Sequence, residues 1–165
     1  MKRLVALLVL AAVAVAGWLW WTSDARRIGR RLDALVEACE KSGPESPLVL
    51  LTRTQTLLDA FAPGLLVRAE PYGGAVGDGR ELAALIQRYR ATASRIEITA
   101  SGRELVFGPN RTAEMAVLFR IAGDAGGGPG NEAFSARLFW VEDDGTWRIR
   151  EVEVIERLES SGLFF

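Results

Sequence analysis

The sequence predicts an α+β fold in which three helices pack on one face of a strongly bent antiparallel sheet, behind an N-terminal transmembrane helix. Three observations carry that prediction. Leu4 to Trp21 is an apolar run without a charged or strongly polar residue. Apolar residues then recur at helical spacing from Ile28 to Tyr89, and after Ser94 the period changes from 3.6 to 2 and stays there. The chain divides accordingly into an anchor at residues 1–22 and a domain at residues 23–165.

The first element opens with Met1-Lys2-Arg3, and the apolar run begins at once. As a helix rising about 1.5 Å per residue, that run is just long enough for the hydrocarbon core of a bilayer. Trp18, Trp20 and Trp21 cluster at its far end, where indole rings favour the headgroup layer. Ala14-Val15-Ala16 also fits a signal-peptidase site, but the apolar residues continue past it. The length rule favours an uncleaved signal anchor over a removed signal peptide. Lys2 and Arg3 favour the cytoplasmic side, while Arg26, Arg27, Arg30 and Arg31 load the other flank. An N-terminal anchor of this kind exports the chain on its C-terminal side, so the domain is expected to face the periplasm or cell exterior. This arginine cluster, Arg26 and Arg27 first, is a candidate contact to lipid phosphates, or a plain solvated helix face.

The first helix of the domain spans Ala25 to Ser42, with Ile28, Leu32, Leu35, Val36 and Cys39 on one stripe and Gly43-Pro44 as its stop. Cys39 reads as a buried small hydrophobe. Ser46 caps a second helix with Pro47 in its first turn, and Leu50, Leu51, Leu57, Leu58 and Phe61 give it a broad apolar face as far as Pro63-Gly64. Leu65 to Glu70 is a short extended run. Asp78 caps a third helix, with Glu81 completing a capping box and Leu82, Leu85, Ile86 and Tyr89 as its buried stripe.

The strands are read from alternation. Ile96 and Ile98 begin the first, and Leu105 and Phe107 lead into a Gly108-Pro109-Asn110 turn. Met115, Val117, Phe119, Phe134, Ala136, Leu138 and Trp140 face the helices; Ala116, Leu118, Phe139 and Val141 lie on the opposite, convex face with Glu114, Ser135 and Arg137. Asp143-Asp144-Gly145 is a hairpin turn. In the last strand the apolar parity flips between Ile149 and Val152, which predicts a bulge or strong bend near Glu151. Gly123 to Asn131, rich in glycine, reads as a hairpin tip.

Composition excludes several functions. The chain has 165 residues, no histidine, one cysteine and a formal net charge of −1. Without histidine there is no Ser-His or Cys-His nucleophile and almost no route to a catalytic zinc. The near-neutral charge excludes a dedicated nucleic-acid binder. The acidic residues Glu142, Asp143, Asp144, Glu151, Glu153 and Glu156 read as a solvated strand edge, not a metal site. No metal and no cofactor is expected.

Gly79-Arg80-Glu81-Leu82 opening the third helix, and Asp144-Gly145-Thr146-Trp147-Arg148-Ile149 starting the last strand, resemble the nuclear transport factor 2-like, or SnoaL-like, superfamily. The order of elements from Ala25 to about Arg157 is similar as well. The resemblance implies a cone-shaped, cystatin-like α+β roll with a pocket between sheet and helices. Catalytic members use Asp, Tyr or His groups inside the cone. The positions here that the resemblance makes pocket candidates are Glu70, Tyr72, Tyr89 and Arg120, a Glu as base and a Tyr as donor to an enolate. None of the acid-base motifs of the isomerases can be placed residue by residue, so no catalytic residue is assigned.

The function expected is a membrane-tethered, extracytoplasmic module that binds a partner protein or an apolar small molecule, such as an envelope assembly component. One N-terminal anchor before a domain of this fold is similar to the plan of the periplasmic core subunits of type IV secretion systems. The alternative is an isomerase, dehydratase or cyclase acting in the cone. Leu118, Phe139 and Val141 on the convex face predict a homodimer or protein contact, because a face wholly exposed to water alternates cleanly to polar residues.

Overall fold

In the computed structural model, which describes residues 23–70, 74–124 and 129–160, the helical stripes and alternating strands assemble into one layer of helices on one sheet. The helices are α1 (Asp24–Cys39), α2 (Pro47–Ala60) and α3 (Gly79–Thr92). The strands are β1 (Phe61–Ala69), β2 (Gly74–Val76), β3 (Ile96–Gly108), β4 (Thr112–Gly123), β5 (Gly130–Asp143) and β6 (Thr146–Ser160), in spatial order β2-β1-β6-β5-β4-β3. The predicted anchor at residues 1–22, with Trp18, Trp20 and Trp21, lies outside the described residues. Among the described residues no helix is long and apolar enough to cross a membrane.

The sheet is mixed, not purely antiparallel as the sequence suggested. β1 runs parallel to β6, with Leu66 opposite Glu151 and Val67 opposite Val152. The reason lies in α2, which ends at Ala60 and hands the chain directly to β1. Phe61, Pro63 and Gly64 therefore belong to a strand, and the Pro63-Gly64 break appears as a register shift between Phe61 and Leu66. Gly64 has φ +75°, a conformation open to glycine at no steric cost. Of the predicted apolar face of α2, Leu57 and Phe61 are buried, whereas Leu50, Leu51 and Leu58 are exposed. In α3 the buried face is turned by one position, with Ala83 and Arg90 buried and Leu85 exposed.

Elsewhere alternation decides the packing. Ile28 and Leu32 of α1 meet Phe61, Leu65, Met115, Val117, Ala136, Leu138, Trp140, Trp147 and Ile149 in the main core, with Phe119 and Phe134 packed at its margin. Each such large side chain stabilises the fold by roughly 1.5–3 kcal/mol when fully buried. The expected flip in β6 is a register shift: Trp140 pairs with Ile149 but Phe139 with Glu151, so Arg150 is the extra residue. The β5–β6 turn has Asp144 at φ +47° and Gly145 at φ +72°, the two positive angles of a tight hairpin turn.

Buried polar contacts fasten the helices. Arg90 of α3 donates to the carbonyls of Ala38 and Glu40 and pairs with Glu45. Lys41 donates to the carbonyls of Arg90 (2.7 Å) and Ala93 (2.6 Å). Its backbone N–H donates to the carbonyl of Ile96 at 2.9 Å, joining the end of α1 to β3.

Candidate functional site

Two surfaces offer sites, the concave face under the helices and the convex face opposite. Much of the concave face is filled by the main core, Trp140 and Leu138 included. Polar groups enter where β5 begins and β6 ends. Glu132 falls in phase with Phe134, Ala136 and Leu138 and so points inward, its side chain 0% exposed. Its Oε1 accepts from Nε of Arg157 at 2.8 Å. Phe134 is opposite Arg157 in register, and its ring lies 5.5 Å from that of Phe119.

Tyr89 of α3 packs nearby with Ile98 and Ile121. Burial pushes its phenol above its ordinary range, and the carboxylates of Asp124 and Glu132 push it further the same way. Tyr89 is therefore a protonated donor at neutral pH. The Arg157 guanidinium engages one oxygen of the Glu132 carboxylate.

Of the four pocket candidates, the structure brings only Tyr89 to this region. Glu70 is exposed just past the end of β1. Arg120 is exposed too, because Phe119 beside it points inward and strand alternation sends Arg120 out. Tyr72 lies outside the described residues. Glu132 and Arg157 were missed. Glu132 was in reach, since it extends the inward series Phe134, Ala136, Leu138, Trp140 by one step.

The convex face is built by register. Val106, Glu114, Phe139, Glu151 and Leu66 form one row across five strands. Phe139 thus stands between two carboxylates, each held by an arginine: Arg137 with Glu114 at 2.7 Å and Arg68 with Glu151 at 2.9 Å. Leu118, Phe139 and Val141 are half-buried on this face. Toward the end carrying the β3–β4 turn, a crevice of about 270 Å3 is lined by Val106, Phe107, Glu114, Phe139 and Val141. Val106 is 67% exposed on this face, whereas Phe107, half exposed, belongs to the opposite face, its ring 6.0 Å from that of Trp147. The predicted acidic residues do not form a strand edge, because β5 and β6 lie inside the sheet; Glu142 pairs with Arg27 and Arg111, Asp143 with Arg148, Glu151 with Arg68 and Glu153 with Arg137. Among the described residues no group of three or more potential ligands is placed to hold a metal ion.

With this geometry in view, the likeness to solved structures is one of fold. The chain superposes with a TM-score of 0.70 and 11% identity on a candidate scytalone dehydratase of Novosphingobium aromaticivorans, covering 84% of this chain and 86% of that one. It superposes on a nuclear transport factor 2-like protein of Cytophaga hutchinsonii with a TM-score of 0.63 and 15% identity, over 81% and 98% of the two chains. The hexachlorocyclohexane dehydrochlorinase LinA-type3 of Novosphingobium barchaimii gives 0.66 and 9%, over 83% and 88%. No family model matches the chain, and no curated relative does. The fold is that of the nuclear transport factor 2-like, cystatin-like α+β proteins.

Proposed function

We propose that this protein is a membrane-tethered, extracytoplasmic binding module that takes a protein partner, a second copy included, on its convex sheet face. The observation that carries the reading is Phe139, half-buried between the Arg137–Glu114 and Arg68–Glu151 ion pairs on a face where Val106 is open to solvent. A sheet face wholly exposed to water alternates cleanly to polar residues, and Leu118, Phe139 and Val141 break that alternation. Residues 1–22 supply the tether, placing the domain on the periplasmic or outer side of the cytoplasmic membrane as an envelope component.

Sedimentation of the full chain in neutral detergent tests the interface. Phe139→Arg should weaken association at least tenfold and leave the circular dichroism spectrum unchanged. A wild type that stays monomeric at high concentration, with a Phe139→Arg variant that unfolds, would overturn the proposal. Carbonate extraction tests the tether separately. The full chain should stay with the membrane, and recovery of a soluble form beginning near Gly17 would argue for a cleaved signal peptide.

A second reading, an isomerase or dehydratase acting on an apolar substrate, draws on one observation: protonated Tyr89 and buried Glu132 share the concave face. The dehydratase and dehydrochlorinase among the structural neighbours keep it in view. Glu132→Gln separates the two readings. An enzyme loses turnover while remaining folded, and a binding module keeps its partner affinity.

A further inference from the structure

The start of α1 packs beside the β5–β6 hairpin and leaves a cavity of about 380 Å3 between them. Among the described residues three arginines line it, Arg27, Arg30 and Arg31, together with Gly145, Thr146 and Trp147, and no carboxylate does. Arg27 is fixed in place. Its guanidinium bonds Asp24 at 3.1 Å, lies 3.6 Å from Glu142 and donates to the carbonyl of Gly145. The indole of Trp147 donates to the same Asp24 carboxylate at 3.1 Å, so the wall opposite the arginines is tied to the helix that carries them. Arg31 is half-buried and has no ion pair among the described residues. A half-buried guanidinium facing a cavity without a carboxylate leaves its donors to an anion from outside.

We propose that this cavity is a phosphate site, in which Arg30 and Arg31 grip a phosphate monoester or diester while Arg27 and Trp147 hold the walls. Guanidinium forks match the paired oxygens of a phosphate, and the hydroxyl of Thr146 adds a neutral donor at the rim. The phosphate has two sources, an anionic lipid headgroup or a soluble phosphate compound. The lipid source rests on the tether reading; the soluble source does not. If Trp21 sits at the bilayer surface, the chain between it and Arg27 is short enough to keep Arg27 within about 20 Å of that surface.

The test uses the full chain in dodecyl maltoside micelles with two probes, inorganic phosphate and phosphatidylglycerol doped into the micelles, and phosphatidylcholine as the neutral control. The proposal expects at least one anionic probe to bind saturably and raise the unfolding temperature, and phosphatidylcholine to do neither. The double substitution Arg30→Gln with Arg31→Gln should weaken that binding at least tenfold, whereas Arg88→Gln, exposed on α3, should leave it unchanged. Binding of phosphatidylglycerol alone identifies a lipid headgroup, and binding of inorganic phosphate identifies a soluble ligand. Should the double variant fail to fold, phenylglyoxal modification of the wild type replaces it: the bound probe must slow reaction at Arg30 and Arg31 and spare the rate at Arg88. No binding of either anion, equal binding by the double variant, or equal modification rates overturns the site. Failure of carbonate extraction removes the tether and the lipid source, yet leaves the inorganic phosphate measurement standing.

Discussion

Glu132 and Arg157 meet on the concave face because β6 carries an extra residue, Ile155, between Val154 and Glu156. Val154 pairs with Ala136 on the inner face, and unbroken alternation would put Glu156 inward next. A register shift at Ile155 pairs Glu156 with Ser135 instead, and Arg157 comes opposite Phe134. A second shift lies between Ala133 and Phe134. The guanidinium that neutralises a fully buried carboxylate is thus delivered by a one-residue bulge.

Removing Arg157 takes away the cationic partner of a carboxylate that is 0% exposed. Arg157→Met should destabilise the domain by about 2–3 kcal/mol, toward the low end of buried-pair losses because Arg157 itself is 30% exposed. Combining it with Glu132→Gln should recover part of that loss, since the charge goes with its partner. Urea denaturation of the two single variants and the double one measures the coupling. Additive losses would show that the pair contributes no coupling to the fold.

The same bulges explain what the sequence left illegible. Strands with unbroken alternation were readable: Met115 to Phe119 and Phe134 to Trp140 face the core as their parity demands. The flip at Glu151 was readable because apolar residues lie on both sides of it. Beyond Val154 the strand alternates Ile155, Glu156, Arg157, Leu158 without a dominant parity, so neither the bulge at Ile155 nor the inward turn of Arg157 leaves a trace. The parallel pairing of β1 with β6 was hidden for another reason. Phe61 continues the apolar pattern of α2, and spacing alone cannot say that the chain straightens at Ala60.

Arg90 carries the second prediction. It is 2% exposed and serves Ala38, Glu40 and Glu45 at once, joining the ends of α1 and α3 to the loop between α1 and α2. Arg90→Met should lower stability by about 3–4 kcal/mol, because two carbonyls and a largely buried carboxylate lose one donor together. Arg90→Lys should recover only part of it, since one ammonium does not reproduce the fork. Equal stability of wild type and Arg90→Met in urea would show that water replaces the guanidinium freely.

Cys39 gives a reactivity prediction. It packs against Ala38, Leu57 and Ala83. Burial pushes the thiol up from 9.0 to about 12, with Arg90 pulling partly the other way. At pH 8 the native thiolate fraction is then about a thousandfold below that of the unfolded chain, and alkylation should slow by at least that factor. The sign for stability comes from the raised value. The contribution of the neutral thiol is complete below pH 9.0 and is lost as the pH rises from there toward about 12. Iodoacetamide kinetics with and without denaturant check this, and rapid native labelling would show the thiol to be accessible and reactive.

Asp124 supplies the acid-side counterpart. Its Oδ1 accepts from the backbone N–H groups of Ser94 and Arg95, each at 2.8 Å, and Oδ2 accepts from the Ser94 hydroxyl. The clasp fixes the turn between α3 and β3 against the end of β4. The Ser94 hydroxyl, then the Arg95 N–H, hold the carboxyl below its ordinary 3.8. A depressed value means that the native state binds the proton less readily than the unfolded chain. The stabilisation is therefore complete above pH 3.8 and is lost as the pH falls through the lower native value. Asp124→Asn removes the charge and keeps one acceptor oxygen. Its unfolding temperature should lie below that of the wild type at pH 7, and the two curves should converge on acidification below pH 4. A gap that stays constant from neutral to acid pH would mean that the hydrogen bonds matter and the carboxylate charge does not.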